Sequence, residues 1–411
     1  MKFLLLGFLF FPHLASAGIP GFSPIDPSYT NPSGQPLVIE NMPRIQSQDT
    51  LGVCYSYTAG AILDAANCKY DDLDCKNLPK RESFSRLDLT RYSTDVPKDL
   101  QYRSAYDGGI KEGGAPLNII QNMLLRRTPA ANEECASLDK ALVHFGDSKQ
   151  LWAAQEKAWV TLKTKYAQFK ENEKKCATCA ADFFTTAVDE IRQDFNLKQD
   201  NTEILKAFSQ VTYEKFLGDL LVPKQCSNKV VYLENAKNLQ LETFPNDPLG
   251  FSTYDESLDK IKSALANKNP VLVNSLCLDQ NYDIPKAQQT IVANNKKIVA
   301  ARSRGTTLDK NSLTPECKNE HSLVVSGYRK ICKKNNPQDC RVALKVHNSW
   351  GEGWQKQNDD GWVDAKTLLD RTAYQVQSFA WIQDKNKSQS KSQQNSSSQR
   401  ASVNQEHSSI Q

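Results

Sequence analysis

The spacing of apolar positions changes along the chain, and the predicted elements change with it. Gly18 to Pro43 carries six prolines among Gly, Ser and Asn, and reads as an extended arm. From Gly52 the pattern turns helical: Val53 to Ala66 has no proline and few polar interruptions. Cys68 to Pro97 is charged and loop-like. Asp107-Gly108-Gly109 and Glu112-Gly113-Gly114-Ala115-Pro116 punctuate turns before an apolar-periodic helix from Leu117 to Leu125. Long helical patterns follow over Ser137–Lys175, Ala180–Phe195 and Thr202–Leu221. There Trp152, Trp159, Tyr166 and Phe169 recur at the spacing of a core-facing stripe. After a helix over Ser257–Asn267 the period becomes that of strands: Val271–Leu276, Ser322–Tyr328, Val342–Val346, Trp362-Val363 and Tyr374–Ile382. Helices first and strands last predict an α+β fold. The final stretch, 385–411, is Ser, Gln, Asn and Lys with almost no apolar residue, and is expected to be disordered.

Composition narrows the class. Of 411 residues, 39% are hydrophobic and 24% charged, enough for a buried core in a globular chain. The net charge is +4 with no long basic run, which excludes a dedicated nucleic-acid surface. Five histidines (13, 144, 321, 347, 407) argue against a His-rich metal site. Lys2, the apolar stretch Phe3 to Leu14 and Ala15-Ser16-Ala17 have the form of a signal peptide over 1–17, too short to span a bilayer. The mature chain is therefore expected to be secreted or periplasmic, with no stable membrane insertion. Eleven cysteines then meet an oxidising compartment, and an odd count leaves one thiol unpaired. Cys68–Cys75, Cys277–Cys317 and Cys332–Cys340 are read as local disulfides. Cys176-Ala-Thr-Cys179 lacks the βαβ context of a redox pair. Disulfides are preferred there over a zinc site shared with Cys135 and Cys226.

The unpaired thiol has a candidate. Gln48-Asp49-Thr50-Leu51-Gly52-Val53-Cys54 puts Cys54 in the first turn of the predicted helix, where the positive helix end favours thiolate. A neighbouring imidazolium would stabilise that thiolate for attack on a carbonyl. The oxyanion so formed needs donors, and the Gln48 side-chain amide with the Cys54 backbone N–H supplies two. His321 lies on a predicted strand. His347 competes, but on an alternating strand it points away from the face its neighbour Asn348 presents. The plain readings of these residues are a disulfide half for Cys54 and a core histidine for His321.

The motifs resemble papain-like cysteine peptidases. Gln-x5-Cys followed by Tyr55-Ser56-Tyr57 resembles the start of the mature enzymes. Glu112-Gly113-Gly114-Ala115-Pro116 resembles the segment that pairs its backbone with bound peptide. Asn319 to Tyr328 resembles the strand of the catalytic histidine. Ala343 to Trp354, with Asn348-Ser349-Trp350-Gly351, resembles the block of the orienting asparagine, and Gly361-Trp362-Val363 the strand after it. Motif-bearing stretches cover about 48–66, 108–130 and 255–382.

The resemblance implies an α+β, papain-like two-lobe fold: a helical lobe plus a β-rich, barrel-like lobe, with a large helical insertion. The corresponding divisions are 18–131 for the arm and helical lobe, 132–245 for the insertion, and 246–384 for the β-rich lobe. It further implies Cys54 as nucleophile, His321 as base and acid, Asn348 as orienter and Gln48 in the oxyanion hole. Gly113 and Gly114 would bind substrate, and Trp350 would shield the Asn–His pair. No cofactor or metal is implied. The reaction would be peptide-bond hydrolysis through a thioester, in a monomer, with the insertion as the place for a protein partner or inhibitor. An inactive peptide-binding relative, a cell-wall peptide amidase and a structural protein acting through its insertion are the alternatives.

Departures accompany the resemblance. Leu51 and Lys111 stand where the family has a bridged cysteine pair. Asp49 replaces a glycine and Tyr55 a tryptophan. His321 follows Cys54 by 267 residues, where roughly 130–150 is expected. Most of the excess falls in 132–245, with smaller additions around Cys68–Cys75 and 283–318. About 36 residues separate Gly18 from Cys54, so export without a conventional pro-domain is expected.

Overall fold

The computed structural model describes residues 22–93, 109–142, 148–247, 250–306 and 317–385. The signal peptide and all but the first residue of the tail lie outside them, as does the side chain of Trp152. Helices are α1 (Cys54–Tyr70), α2 (Arg86–Leu89), α3 (Pro116–Arg126), α4 (Leu138–Ala141), α5 (Ser148–Lys175), α6 (Ala177–Asp194), α7 (Asn201–Phe208) and α8 (Tyr213–Leu221). They continue with α9 (Tyr254–Ala266), α10 (Ile284–Ser303), α11 (Gly351–Gln357) and α12 (Ala365–Asp370). Strands are β1 (Tyr29–Pro32), β2 (Leu37–Val38), β3 (Ala130–Ala131), β4 (Val230–Val231), β5 (Leu239–Phe244) and β6 (Val271–Cys277). The remainder are β7 (Glu320–Lys333), β8 (Asn336–His347), β9 (Trp362–Asp364) and β10 (Phe379–Asp384). The fold is α+β.

One antiparallel sheet runs β5-β10-β6-β7-β8-β9, and the arm adds β1 and β2 to the far half of β7. Among the described residues no ladder closes β5 onto β9. Period-two alternation gives each strand two apolar faces. Leu272, Val324, Ala380 and Ile382 face the cluster built on α1, whereas Val271, Val273, Leu323, Val325 and Phe379 face the one built on α9 and α12. Helix α1 is buried from Tyr55 to Cys68, so the sheet and the surrounding helices enclose it.

The helices α5 to α8 leave and return through a neck. There β3 pairs with β4, Ala130 opposite Val231, and Cys135 is bonded to Cys226. Trp159, Tyr166 and Phe169 are buried, and Phe208 contacts Phe169, Phe184 and Phe216. These contacts run on into those of α1 and α3 as one apolar cluster. The backbone N–H of Ile110 donates to Glu214 O at 2.9 Å, which ties α8 to the approach of the Gly-Gly segment.

Several elements differ from expectation. The pattern over Ser137–Lys175 holds two helices, α4 and α5, and that over Thr202–Leu221 is divided where the Thr212 side chain accepts the Lys215 N–H and starts α8 afresh. Helix α10 was not anticipated; its signals are Asp283, whose carboxylate accepts the Lys286 N–H, and Pro285 in the first turn. The final strand begins at Phe379 rather than Tyr374, because Ala373, Tyr374 and Gln377 adopt positive φ. Within the charged stretch 68–97, Ser83 to Thr90 is interior: Arg86 pairs with Asp64 at 2.7 Å, both nearly inaccessible. Pairing is what lets those charges leave water.

Candidate active site

Val53 ends its loop in non-helical backbone, and Cys54 opens α1 with no side-chain cap on that helix end. The first N–H groups of the helix therefore have no intrahelical acceptor. All the other cysteines pair: Cys68–Cys75, Cys135–Cys226, Cys176–Cys179, Cys277–Cys317 and Cys332–Cys340. Cys54 is the one free thiol. The zinc alternative fails because all four of its ligands are spent in disulfides. Cys277 and Cys317, which lie beside Asp279, are likewise bonded to each other.

Strand register brings the imidazole and the amide together. The β7–β8 ladder sets Val324 against His347, so His321 and Asn348 lie at the same end of that ladder. His321 Nε2 and Asn348 Oδ1 are 2.8 Å apart, and Asn348 is fully buried. A carbonyl oxygen only accepts, so Nε2 carries the proton and Nδ1 is left for the Cys54 sulfur, with which His321 hydrogen-bonds. Asn348 Oδ1 also accepts the Ser349 N–H, which holds the amide's orientation.

Electrostatics follow from this contact. Burial disfavours a Cys54 thiolate, but the His321 charge and hydrogen bond, aided by Ser322, outweigh it and hold the thiol below its ordinary value. The reciprocal holds for His321: burial opposes the imidazolium, yet Cys54 and Asn348 keep its pKa above the ordinary range. His347 behaves otherwise. Burial, Arg86 and Lys345 push it down to about 3, so it is neutral on the other face of the strand.

Gln48 joins the same place. Its N–H donates to Ser349 O at 2.8 Å, its Oε1 accepts the Ser349 hydroxyl at 2.5 Å, and its Nε2 donates to Leu51 O at 2.6 Å. One Nε2 hydrogen remains beyond that bond. Trp350 lies over the imidazole, with centroids 4.9 Å apart, and is bridged to Ser47. The Gly-Gly segment abuts the nucleophile loop: the Gly113 N–H donates to Gly52 O at 2.8 Å. Gly113 has φ +75°, and a Cβ on Gly114 would sit 2.6 Å from the Tyr55 ring.

The departures acquire reasons. The Tyr55 hydroxyl donates to Lys111 O at 2.7 Å. With the Gly113–Gly52 bond, it ties together the two segments at which the resemblance expects a disulfide. Asp49 has φ +52°, a conformation that suits glycine. Burial pushes its carboxyl up to about 6 against hydrogen bonds from Ser47 and Gln155, the latter on α5. Sequence reasoning missed Ser349 as the anchor of Gln48, Ser322 beside the sulfur, and Phe22. The Phe22 ring lies 5.2 Å from Trp350 and 6.1 Å from His321. Ser349 was findable inside the Asn-Ser-Trp block; Phe22 left no local signal.

No family model matches the chain. No curated protein matches it either. Among solved structures it is similar to SERA5E from Plasmodium falciparum, with 12% identity over 80% of this chain and 82% of that one, at TM-score 0.32. It is similar also to the SERA5 proenzyme from the same organism, with 11% identity over 82% and 61%, at TM-score 0.33. PepW from Lactobacillus rhamnosis HN001 gives 11% identity over 88% and 82%, at TM-score 0.30.

Proposed function

We propose that the chain is a secreted, papain-like cysteine peptidase that hydrolyses peptide bonds through a thioester. The observation that carries this reading is the relay of Cys54 to His321 to Asn348, with the free thiol at a helix N-terminus and a 2.8 Å bond orienting the imidazole. Five disulfides support an oxidising compartment. Among the described residues no helix is long and apolar enough to cross a membrane.

In this reading an extended peptide lies along Gly113 and Gly114. The Cys54 thiol gives its proton to His321 Nδ1, the thiolate Sγ attacks the scissile carbonyl carbon, and the carbonyl π electrons move to oxygen. The Cys54 N–H and the remaining Gln48 N–H stabilise that oxyanion. As the tetrahedral species collapses, His321 Nδ1 gives its proton to the departing amine and the C–N bond breaks, leaving the thioester. Water then loses a proton to His321 and adds to the thioester, and collapse expels the Cys54 thiolate. Asn348 holds the imidazole in the required tautomer throughout.

The test is titration of the chain and its Cys54→Ala variant with a peptidyl epoxide under mild reduction. One equivalent of label on Cys54, with hydrolysis of a fluorogenic peptide lost in the variant, is expected. No labelling of folded protein would leave a peptide-binding surface instead. Release of amino-sugar peptides from purified cell wall, without cleavage of plain peptides, would assign an amidase.

A further inference from the structure

Phe22 belongs to the proline-rich arm, outside every motif, yet it is 3% exposed. Its ring centroid lies 5.2 Å from Trp350 and 5.2 Å from Trp354, and it meets the His321 ring edge-on at 6.1 Å and 64°. Trp350 and Trp354 themselves meet edge-on at 5.7 Å. The arm is held firmly where it presents this ring. Ser23 O accepts the Asp364 N–H at 2.9 Å, and the Ile39 N–H donates to Ser326 O at 2.9 Å. The Tyr29 hydroxyl bonds to Asp339, and β1 and β2 pair with β7, the strand that carries His321.

We propose that Phe22 is a positioning residue for His321, closing with Trp350 and Trp354 an aromatic wall that keeps water from the His321–Asn348 hydrogen bond. The inference rests on reading Cys54, His321 and Asn348 as the catalytic set. Trp350 and Trp354 remain partly exposed even with Phe22 in place. Removing its ring opens the side of the imidazole that Phe22 meets at 6.1 Å. Water there competes for the Asn348 carbonyl and lets the ring turn, while burial keeps the bond strong. The wall acts through His321 and touches no reacting atom. The arm thus becomes a part of the site, contributed from a segment remote in sequence from the nucleophile and histidine motifs.

The full chain and its Phe22→Ala and Phe22→Leu variants discriminate this from plain packing. Phe22→Ala is expected to lower kcat about tenfold while KM stays within about twofold, and Phe22→Leu to restore most of kcat. In proton NMR the His321 Nε2–H signal, protected in the unchanged chain, is expected to broaden by solvent exchange in Phe22→Ala and persist in Phe22→Leu. Unaltered kcat and ring-proton exchange in Phe22→Ala would overturn the proposal. So would equal losses in both variants that track the fraction unfolded. If the unchanged chain cleaves no peptide but Phe22→Ala still exposes the ring proton, the peptidase reading fails and the shielding stands.

Discussion

Cys54 carries a prediction that belongs to a single atom. An ordinary thiol of pKa about 8.5 is only about 0.3% ionised at pH 6. The thiol here is held lower by His321, so its thiolate persists as pH falls and is lost only below the lowered value. Iodoacetamide is therefore expected to alkylate Cys54 readily at pH 6. His321→Ala should slow that reaction more than about tenfold at pH 6, and the gap should narrow as pH rises, since burial alone then holds the thiol up. Equal rates in the two proteins at pH 6 would remove the ion pair from the argument. At this scale most of the candidate site was readable from sequence. Gln48, Cys54, His321, Asn348 and Trp350 were named from separate stretches and meet at one place. A helix end marked Cys54 and strand alternation favoured His321 over His347, both local properties, whereas the roles of Asn348 and Trp350 were implied by the resemblance. Phe22 was not readable, because its partners lie some 300 residues away and nothing in the arm encodes them.

The helices α5 to α8 are held both by their neck and by the apolar cluster they share with α1 and α3. Cys135 and Cys226 close a loop of 91 residues beside the β3–β4 ladder. Loop-closure entropy for that length amounts to about 4–5 kcal/mol in the chain-entropy model. Removing both cysteines, as Cys135→Ala with Cys226→Ala, is expected to expose α5 to α8 to trypsin before the β sheet is cut. Because Ile110 hangs on Glu214 of α8, KM should rise more than kcat falls. Cleavage of insertion and sheet in step, with KM unmoved, would refute that link. The periodic aromatics announced these helices, but the Thr212 restart and the Asp283–Pro285 start lay below a reading made by periodicity alone. Side-chain caps depend on one residue, whereas periodicity averages over many.

Across the whole molecule one buried acid adds a separable part to the response to pH. Glu133 accepts the Arg86 N–H, and burial pushes its carboxyl up to about 7 despite Arg86 and Ser137, with Asp139 adding to the rise. Its folded pKa exceeds the 4.5 of a free glutamate, so the folded state binds the extra proton. The stability it contributes is complete below about pH 4.5 and is lost as pH rises through 7, about 3 kcal/mol in all. Urea unfolding should thus show the intact chain losing stability relative to Glu133→Gln from pH 4.5 to 7.5, against the opposite rise that the depressed His347 gives both proteins. A slope unaffected by the substitution would place the titrating group elsewhere. Local patterning was enough for most helices and strands and for the helix end that carries Cys54, since each depends on neighbours within a few positions. Only the folded chain could choose the Cys135–Cys226 bond, bury Arg86 with Asp64, and seat Phe22 on two tryptophans. Those choices turn on which distant surfaces are able to leave water together, and no short window of residues contains both sides of such a contact.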